Sequence, residues 1–431
     1  MQQTFQIMKI RYFISLFMVL STVFAAMAQN EAYYTHSNSS SIRTLQVKAG
    51  NDPLARPFIA LNGNEQITIS FDAMTHQLIR YDYQLIHCNA DWKKSNLAPI
   101  EYMDGFQGLP IEDYANSAAT TVDYTNYRLT FPNENVQMKI SGNYAVLIYD
   151  DDDPNKILAT ACFSVTEQAA SISSSVTSKT DIDMNASHQQ LSFTINHPGL
   201  DIPYPQNDLR IRVYQNYRSD NFVTELRPSG IFSRQIMYEH EQPLIFPGGN
   251  EFRRFEFLSS KYNGMNVEKI SYFDPYYHAD LITDRPRNNM TYSYDEDQNG
   301  RYFIRCSNCD NPDIQADYYV VHFFLAMPEI KGGNIYISGD LFNHVMNEDS
   351  RMNYNADKQR YEKDVLLKQG NYNYQYLFLP DGKNTAQTFP VEGDYFQTEN
   401  EYTIYVYYHP FGARYDRLIS IAMTRFSQKS L

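Results

Sequence analysis

An all-β, multi-domain chain of immunoglobulin-like β-sandwiches is predicted from three observations. Aromatic residues make up 15% of the 431-residue chain, with 36 Tyr and 26 Phe against one Trp, and flat rings pack well on a pleated surface. Short segments alternate apolar and polar side chains with period two, as in Tyr81-Asp82-Tyr83-Gln84-Leu85, while the middle of the chain shows no helical periodicity longer than a few turns. Turn residues punctuate those segments, and the length suits about three domains of ~150 residues, each able to bury a core.

The first 28 residues read as an address. Lys9 and Arg11 give a basic start, Phe13 to Phe24 an apolar run, and Ala26-Met27-Ala28 a small-x-small cleavage site. The run is shorter than the ~20 residues needed to span a bilayer, no cysteine stands at the cleavage point to take a lipid, and no comparable run follows. Export to the periplasm without direct membrane insertion is the expectation. Removing residues 1–28 takes away two basic residues and no acids, leaving 34 basic against 50 acidic and a net charge of −16. Such a surface excludes nucleic acid as a partner class and repels an anionic membrane face, so envelope attachment has to run through protein contacts.

In chain order, strands are expected at Ile42 to Val47, Phe58 to Leu61, Gln66 to Phe71, Ile79 to Cys88, Tyr124 to Phe131, Tyr144 to Tyr149 and Ile157 to Val165, the count and spacing of one sandwich over 29–168. The small, polar stretch Glu167 to Ser178 suggests a boundary. A middle β domain follows over 176–328, with strands at Gln190 to Asn196, Leu209 to Gln215, Ile231 to Tyr238, Phe252 to Leu258, Arg301 to Cys306 and Asp317 to Ala326. Pro328 and Gly332-Gly333 suggest a second boundary. A third sandwich is expected over 329–431, with strands at Ile335 to Ser338, Arg360 to Leu367, Tyr372 to Leu379 and Tyr402 to Tyr408.

The stretch Tyr81 to Phe106 departs from this pattern. After its strand it packs His87, Cys88, Asn89, Asp91 and the sole tryptophan, Trp92, into six residues, then runs through Pro99 to Glu101-Tyr102-Met103-Asp104-Gly105-Phe106. Asp91 to Thr121 reads as a long connection, and long ordered connections are often functional. Trp92 is expected to anchor it by burial, and Gly105 to permit a sharp turn.

HCNADW, EYMDGF and Pro57 to Asn62, with YTNYRLTFPN (Tyr124 to Asn133) and SGNYAVLIYDDDDP (Ser141 to Pro154), resemble the N-terminal domain of the plug protein of the bacterial type IX secretion system. The resemblance covers roughly Asn51 to Thr166. It implies a periplasmic component that closes the outer-membrane translocon barrel when no cargo passes, with that barrel as partner. It also marks His87, Cys88, Asp91, Trp92, Tyr102 and Gly105 as family-signature positions for packing or partner contact. Further on, Gly339 to Asn343, Arg360 to Phe378 and Asp381-Gly382 resemble early-set immunoglobulin-like domains related to glycogen-binding modules. Those modules stack sugars on tryptophans, which this region lacks, so Phe342 or a tyrosine would have to substitute.

Catalytic and metal constellations are weak. His87, Cys88 and Asp91 contain the residue types of a thiol nucleophile site, but neighbours on a strand point to opposite faces. Asp295, Asp297, Asn299 and Gly300 match the front half of a calcium loop, yet Cys306 stands where a bidentate Glu belongs, so a hairpin turn at Asn299-Gly300 is preferred. Asp150 to Asp153 reads as a solvated hairpin tip rather than an ion site. Of the four cysteines, Cys306 and Cys309 suggest a loop staple, whereas Cys88 and Cys162 are either a bridge or two buried thiols. No phosphate loop, GxSxG, HExxH or dinucleotide motif occurs. No cofactor and no metal are expected. The leading reading is therefore a non-enzymatic secretion component; the competing class is a cell-envelope protein that binds or hydrolyses carbohydrate.

Overall fold

The computed structural model describes residues 31–151 and 153–426, and the expected signal segment 1–28 lies outside the described residues. Period-two alternation becomes strand in most of the expected segments. In the strand Tyr81–Cys88, Tyr81, Tyr83 and Leu85 turn inward while Asp82 and Gln84 stay half-exposed. The sheet around it runs His36–Ser37, Asp153–Thr166, Gly142–Asp150, Tyr81–Cys88, Leu109–Pro110, with Phe58–Ala60 added in parallel beside Asp153–Thr166. A second sheet, Ile42–Ala49, Ile67–Ala73, Thr125–Phe131, Asp113–Asn116, faces it. Between them lie Ile67, Ile69, Phe71, Tyr81, Tyr83, Leu85, Val146 and Phe163, each worth roughly 1.5–3 kcal/mol when fully buried. Gly142–Asp150 is buried along nearly its whole length on both faces, because its outer face is itself covered. Asp150 and Asp153 pair across the hairpin tip.

The other two sandwiches are not consecutive. One sheet of the middle sandwich runs Ser171–Thr177, His188–Asn196, Gln235–Tyr238, Gly230–Phe232, with Ile245–Pro247 also on His188–Asn196. Its opposite sheet is Leu209–Gln215, Glu401–Tyr408, Arg417–Arg425. Leu191, Phe193, Ile211, Val213, Ile404 and Val406 fill the space between. The third sandwich is inserted between Ile245–Pro247 and Glu401–Tyr408. Its sheets are Arg253–Phe257, Gly370–Pro380, Tyr302–Ile304 with Gly333–Ser338, and Val267–Phe273, Tyr276–Leu281, Tyr318–Leu325, Arg360–Lys368, Asn353–Asn355.

Three expectations are thereby corrected. The polar stretch expected to be a boundary contains the strand Ser171–Thr177, whose serines pair on His188–Asn196 at a half-exposed edge. Strand pairing crosses the expected division at 328/329: Arg253–Phe257 and Tyr318–Leu325 belong with strands after it, and Glu401–Tyr408 belongs with Leu209–Gln215 before it. Pro328 and Gly332-Gly333 form only a turn between two strands of one sandwich. Ile231 to Tyr238 is a tight hairpin, Gly230–Phe232 with Gln235–Tyr238, rather than one strand. No helix among the described residues is long and apolar enough to cross a membrane.

Candidate functional site

The signature corner is a packed joint. His87, 1% exposed, receives the Ser95 hydroxyl at Nδ1 (2.9 Å) and donates from Nε2 to the Ser141 carbonyl (3.1 Å), a pattern that fixes one neutral tautomer because a carbonyl can only accept. Burial pushes its pKa down to about 4. Cys88 lies on the opposite face in a small cluster with Cys162, and burial pushes its thiol far up. The pair cannot share a proton and the thiol is inert. Tyr102 is buried and donates to the Leu85 carbonyl at 2.8 Å. Gly105 adopts φ +123°, and a Cβ there would sit 1.9 Å from the Asn135 carbonyl oxygen; the residue allows a close backbone approach, not merely a turn.

Asp91 and Trp92 differ from the other four. Asp91 is exposed, its carboxylate accepting the Lys93 amide at 3.1 Å. Trp92 is half-buried at φ +62° and packs on the Cys88–Cys162 cluster, so the expected burial is only partial: its ring closes one wall of a cleft rather than filling a core. The long connection is also more regular than expected, with a short helix at Pro99–Tyr102 and strands at Met103–Gly105, Leu109–Pro110 and Asp113–Asn116.

Both signature segments dock on the middle sandwich. The Ala90 amide donates to Asp416 Oδ2 at 2.8 Å and the Asp416 amide to Asn89 Oδ1 at 3.2 Å. Glu101 pairs with Arg414 at 2.5 Å, and Ala90 packs against Tyr405, Tyr407 and Leu418. The first and third sandwiches meet at Asp72, which accepts Lys368 Nζ at 2.7 Å, Tyr318 Oη at 2.6 Å and Asn126 Nδ2 at 2.8 Å.

All three meet around Arg56. Its guanidinium reaches Asp340 of the third sandwich at 3.1 Å and Glu401 of the middle one at 3.3 Å, and Glu401 is also held by Arg301 at 2.7 Å and by Arg425 at 3.1 Å. Burial alone pushes both carboxyls up, but the arginines outweigh it, with help from His344 at Asp340. Asp340 stays well below the usual carboxylate range and Glu401 falls to about 2. Above this cluster opens a cleft of ≈ 560 Å³ lined from all three sandwiches, with Trp92, Tyr214, Tyr217, Phe222 and Tyr405 among its walls. Neither of these carboxylates can hold a proton to donate, so the cleft has no general acid there.

Elsewhere, burial and mutual repulsion raise Glu251 to about 7, and burial raises Asp297 to about 6. Their oxygens are used internally: Glu251 accepts Tyr292 Oη and the Glu399 amide, and Asp297 accepts the Phe252 and Asn299 amides. Asn299 and Gly300 do turn through positive φ, but the preceding residues form no strand, so the turn is not a hairpin. Asp295 pairs with Arg254, away from any ion arrangement, and no cluster of three or more metal-ligating side chains occurs among the described residues. Cys306 and Cys309 are disulfide-bonded with Cα atoms 5.7 Å apart. Cys88 and Cys162 are free; the strand Gly142–Asp150 separates theirs, a spacing of about 10 Å that no disulfide spans. Phe342 is partly buried against the third core, so only part of its ring is open to a ligand.

Asp72, Lys368, Arg56, Asp340 and Glu401 escaped the sequence reading. Arg56 and Glu401 lie 345 positions apart and Asp72 and Lys368 296, and a single charged residue within an apolar run carries no local mark of its partner.

Residues 42–167 match the type 9 secretion system plug protein 1st domain. A search of curated proteins finds no match. Among solved structures, a hypothetical protein from Parabacteroides merdae ATCC 43184 is 56% identical, covers 92% of this chain and all of its own, and superimposes with a TM-score of 0.91. A Corynebacterium diphtheriae protein aligns over 89% of this chain and 91% of its own at 10% identity, but its TM-score of 0.14 carries no argument. The first domain connects the chain to type IX secretion. The first sandwich of this chain is thus a type 9 secretion system plug protein 1st domain, and the chain as a whole is similar to the Parabacteroides merdae protein.

Proposed function

We propose that this protein is a periplasmic, non-enzymatic component of the type IX secretion machinery that stops the periplasmic opening of the outer-membrane translocon barrel when no cargo is passing. The plug-domain match over residues 42–167 motivates the reading. The physical observation that supports it is the interlocked body. A stopper in an aqueous pore has to be wider than the opening and must not be threaded. Here the third sandwich is inserted into the middle one, and the first is tied to both through Arg56, Asp72 and the Asn89–Asp416 bonds. Pulling on either end meets paired strands and a dry core before any one sandwich can unravel.

A reversible stopper needs a few apolar anchors inside a polar rim. The stretch from Pro99 to Asn116 offers Ile100 and Phe106, each 76% exposed, and Tyr114 at 44%, beside acidic Asp104 and Asp113; this is the preferred contact region. Purification of the tagged protein from detergent-solubilised outer membrane tests the assignment. The expected companion is the translocon barrel, and consistent recovery without it would remove the reading.

A further inference from the structure

We propose that the cleft where the three sandwiches meet is a ligand site for a small amphipathic carboxylate, an apolar body carrying one anionic group. This goes beyond the stopper reading and does not depend on it. The volume of ≈ 560 Å³ falls within the about 300–1,000 Å³ of small-molecule sites. Aromatic rings from all three sandwiches make its walls mostly apolar, which suits a ligand with a flat or branched hydrocarbon body.

Charge supplies the second half of the description. The chain is acidic overall, at −14, yet the cleft collects Lys48, Arg212 and Lys383, and none of them has a carboxylate within ion-pair distance among the described residues. By contrast, the lining carboxylates Asp220 and Asp340 are already neutralised, by Arg218 at 2.7 Å and by Arg56 at 3.1 Å; Asp91 remains, exposed. Arg212 lies with its guanidinium carbon 4.7 Å from the Phe222 ring centre and has one hydrogen bond, to Tyr214 Oη at 3.3 Å. The rest of its planar fork is unused, the geometry that takes a carboxylate through two parallel bonds. A singly charged group is favoured over a dianionic phosphate because most of the wall is apolar and each added charge has to be desolvated.

Backbone conformation points to the same place independently. Trp92, Tyr217, Asn343 and His344, all lining residues, adopt φ of +62°, +60°, +50° and +56°. Bulky side chains in that region cost of order 1–3 kcal/mol each, and such strain collects at binding sites. Two of these residues hold rings of the wall.

The cleft contains its own reporter, since Trp92 is the only tryptophan. The test is a fluorescence titration of the full-length mature protein, with calorimetry as a second readout. One pair of probes is 4-phenylbutyrate and its neutral analogue 4-phenylbutanol; the other is N-acetyl-phenylalanyl-leucine and its amide. At least one acid is expected to bind saturably, at least ten-fold tighter than its neutral partner, and the tighter acid tells whether the natural source is a metabolite or a peptide terminus. Arg212→Gln is expected to weaken binding at least ten-fold with an unchanged melting temperature. Lys383→Gln, on an exposed side chain, provides a weaker second variant if the first fails to fold. No saturable signal from either acid by either method, equal binding of the neutral partners, or full binding by the arginine variant, or by the lysine variant in its place, would overturn the proposal.

Discussion

Replacing Lys368 by Met tests whether the first and third sandwiches are held by a buried charge pair. Asp72 and Lys368 are 0% and 1% exposed, and Lys368 also stands 4.1 Å from the Tyr124 ring centre and donates to the Asp313 carbonyl at 2.6 Å. Without the ammonium, Asp72 keeps only Tyr318 and Asn126. Burial already pushes its carboxyl up and the ammonium down, so in the variant the acid escapes by taking a proton. For an acid of unfolded pKa about 3.9, neutralisation at pH 7 costs roughly 4 kcal/mol, within the 3–5 kcal/mol typical of a broken buried pair. The sign follows: a folded-state pKa above the unfolded one makes the variant worse as pH rises. Its deficit in urea unfolding is expected to be about 4 kcal/mol at pH 7 and to shrink by ~1.4 kcal/mol per unit toward pH 5. Adding Asp72→Asn is expected to restore most of the loss. A deficit under about 1 kcal/mol at pH 7, or one that is equal at pH 5 and 7, would refute the reasoning.

Three further predictions concern the corner and the junction. Gly105→Ala is expected to cost several kcal/mol or to abolish folding, because its Cβ would meet the Asn135 carbonyl at 1.9 Å; a melting temperature within a degree or two of wild type would contradict the packing described. Acid stability is expected to fall in two windows: from about pH 6.5 to 4 as neutral His87 is forced to charge, by up to roughly 3 kcal/mol, then from about pH 4.5 to 2 as Glu401 is protonated. Both folded-state values lie below the unfolded ones, so both contributions are complete above those windows, and His87→Gln should flatten the first in a pH series of urea midpoints. Trp92→Ala is expected to cost only about 1–2 kcal/mol, below the ~3–5 of a fully buried ring; a loss above about 3 would mean that the tryptophan is core after all.

Strand positions were legible because alternation is local: Leu209–Gln215 matches its expected bounds, and most others match within two or three residues. Domain partition was not, because a pairing partner leaves no mark in a strand's own residues. Nothing within Glu401–Tyr408 says that it lies beside Leu209–Gln215 rather than beside Gly370–Pro380. The serine-rich Ser171–Thr177 failed for the opposite reason: composition predicts a loop, and tertiary pairing at a half-exposed edge overrides it. At the corner, the motif was visible, but its division was not. His87, Tyr102 and Gly105 serve packing, Asn89 and Ala90 dock another sandwich, and Trp92 faces a cleft that also takes Tyr214, Tyr217, Phe222 and Tyr405 from more than a hundred positions away. Neighbours in sequence pointing to three different surfaces is the ordinary consequence of a strand ending in a tight turn.

Single-channel conductance of the purified translocon, recorded before and after adding this protein, tests the central claim most directly. High conductance that falls on addition, and that returns when Ile100 and Phe106 are both replaced by Asp in an otherwise stably folded variant, is the expected result. Unchanged conductance together with failure of the two to co-purify would contradict the stopper role and move a carbohydrate-directed envelope function ahead of it.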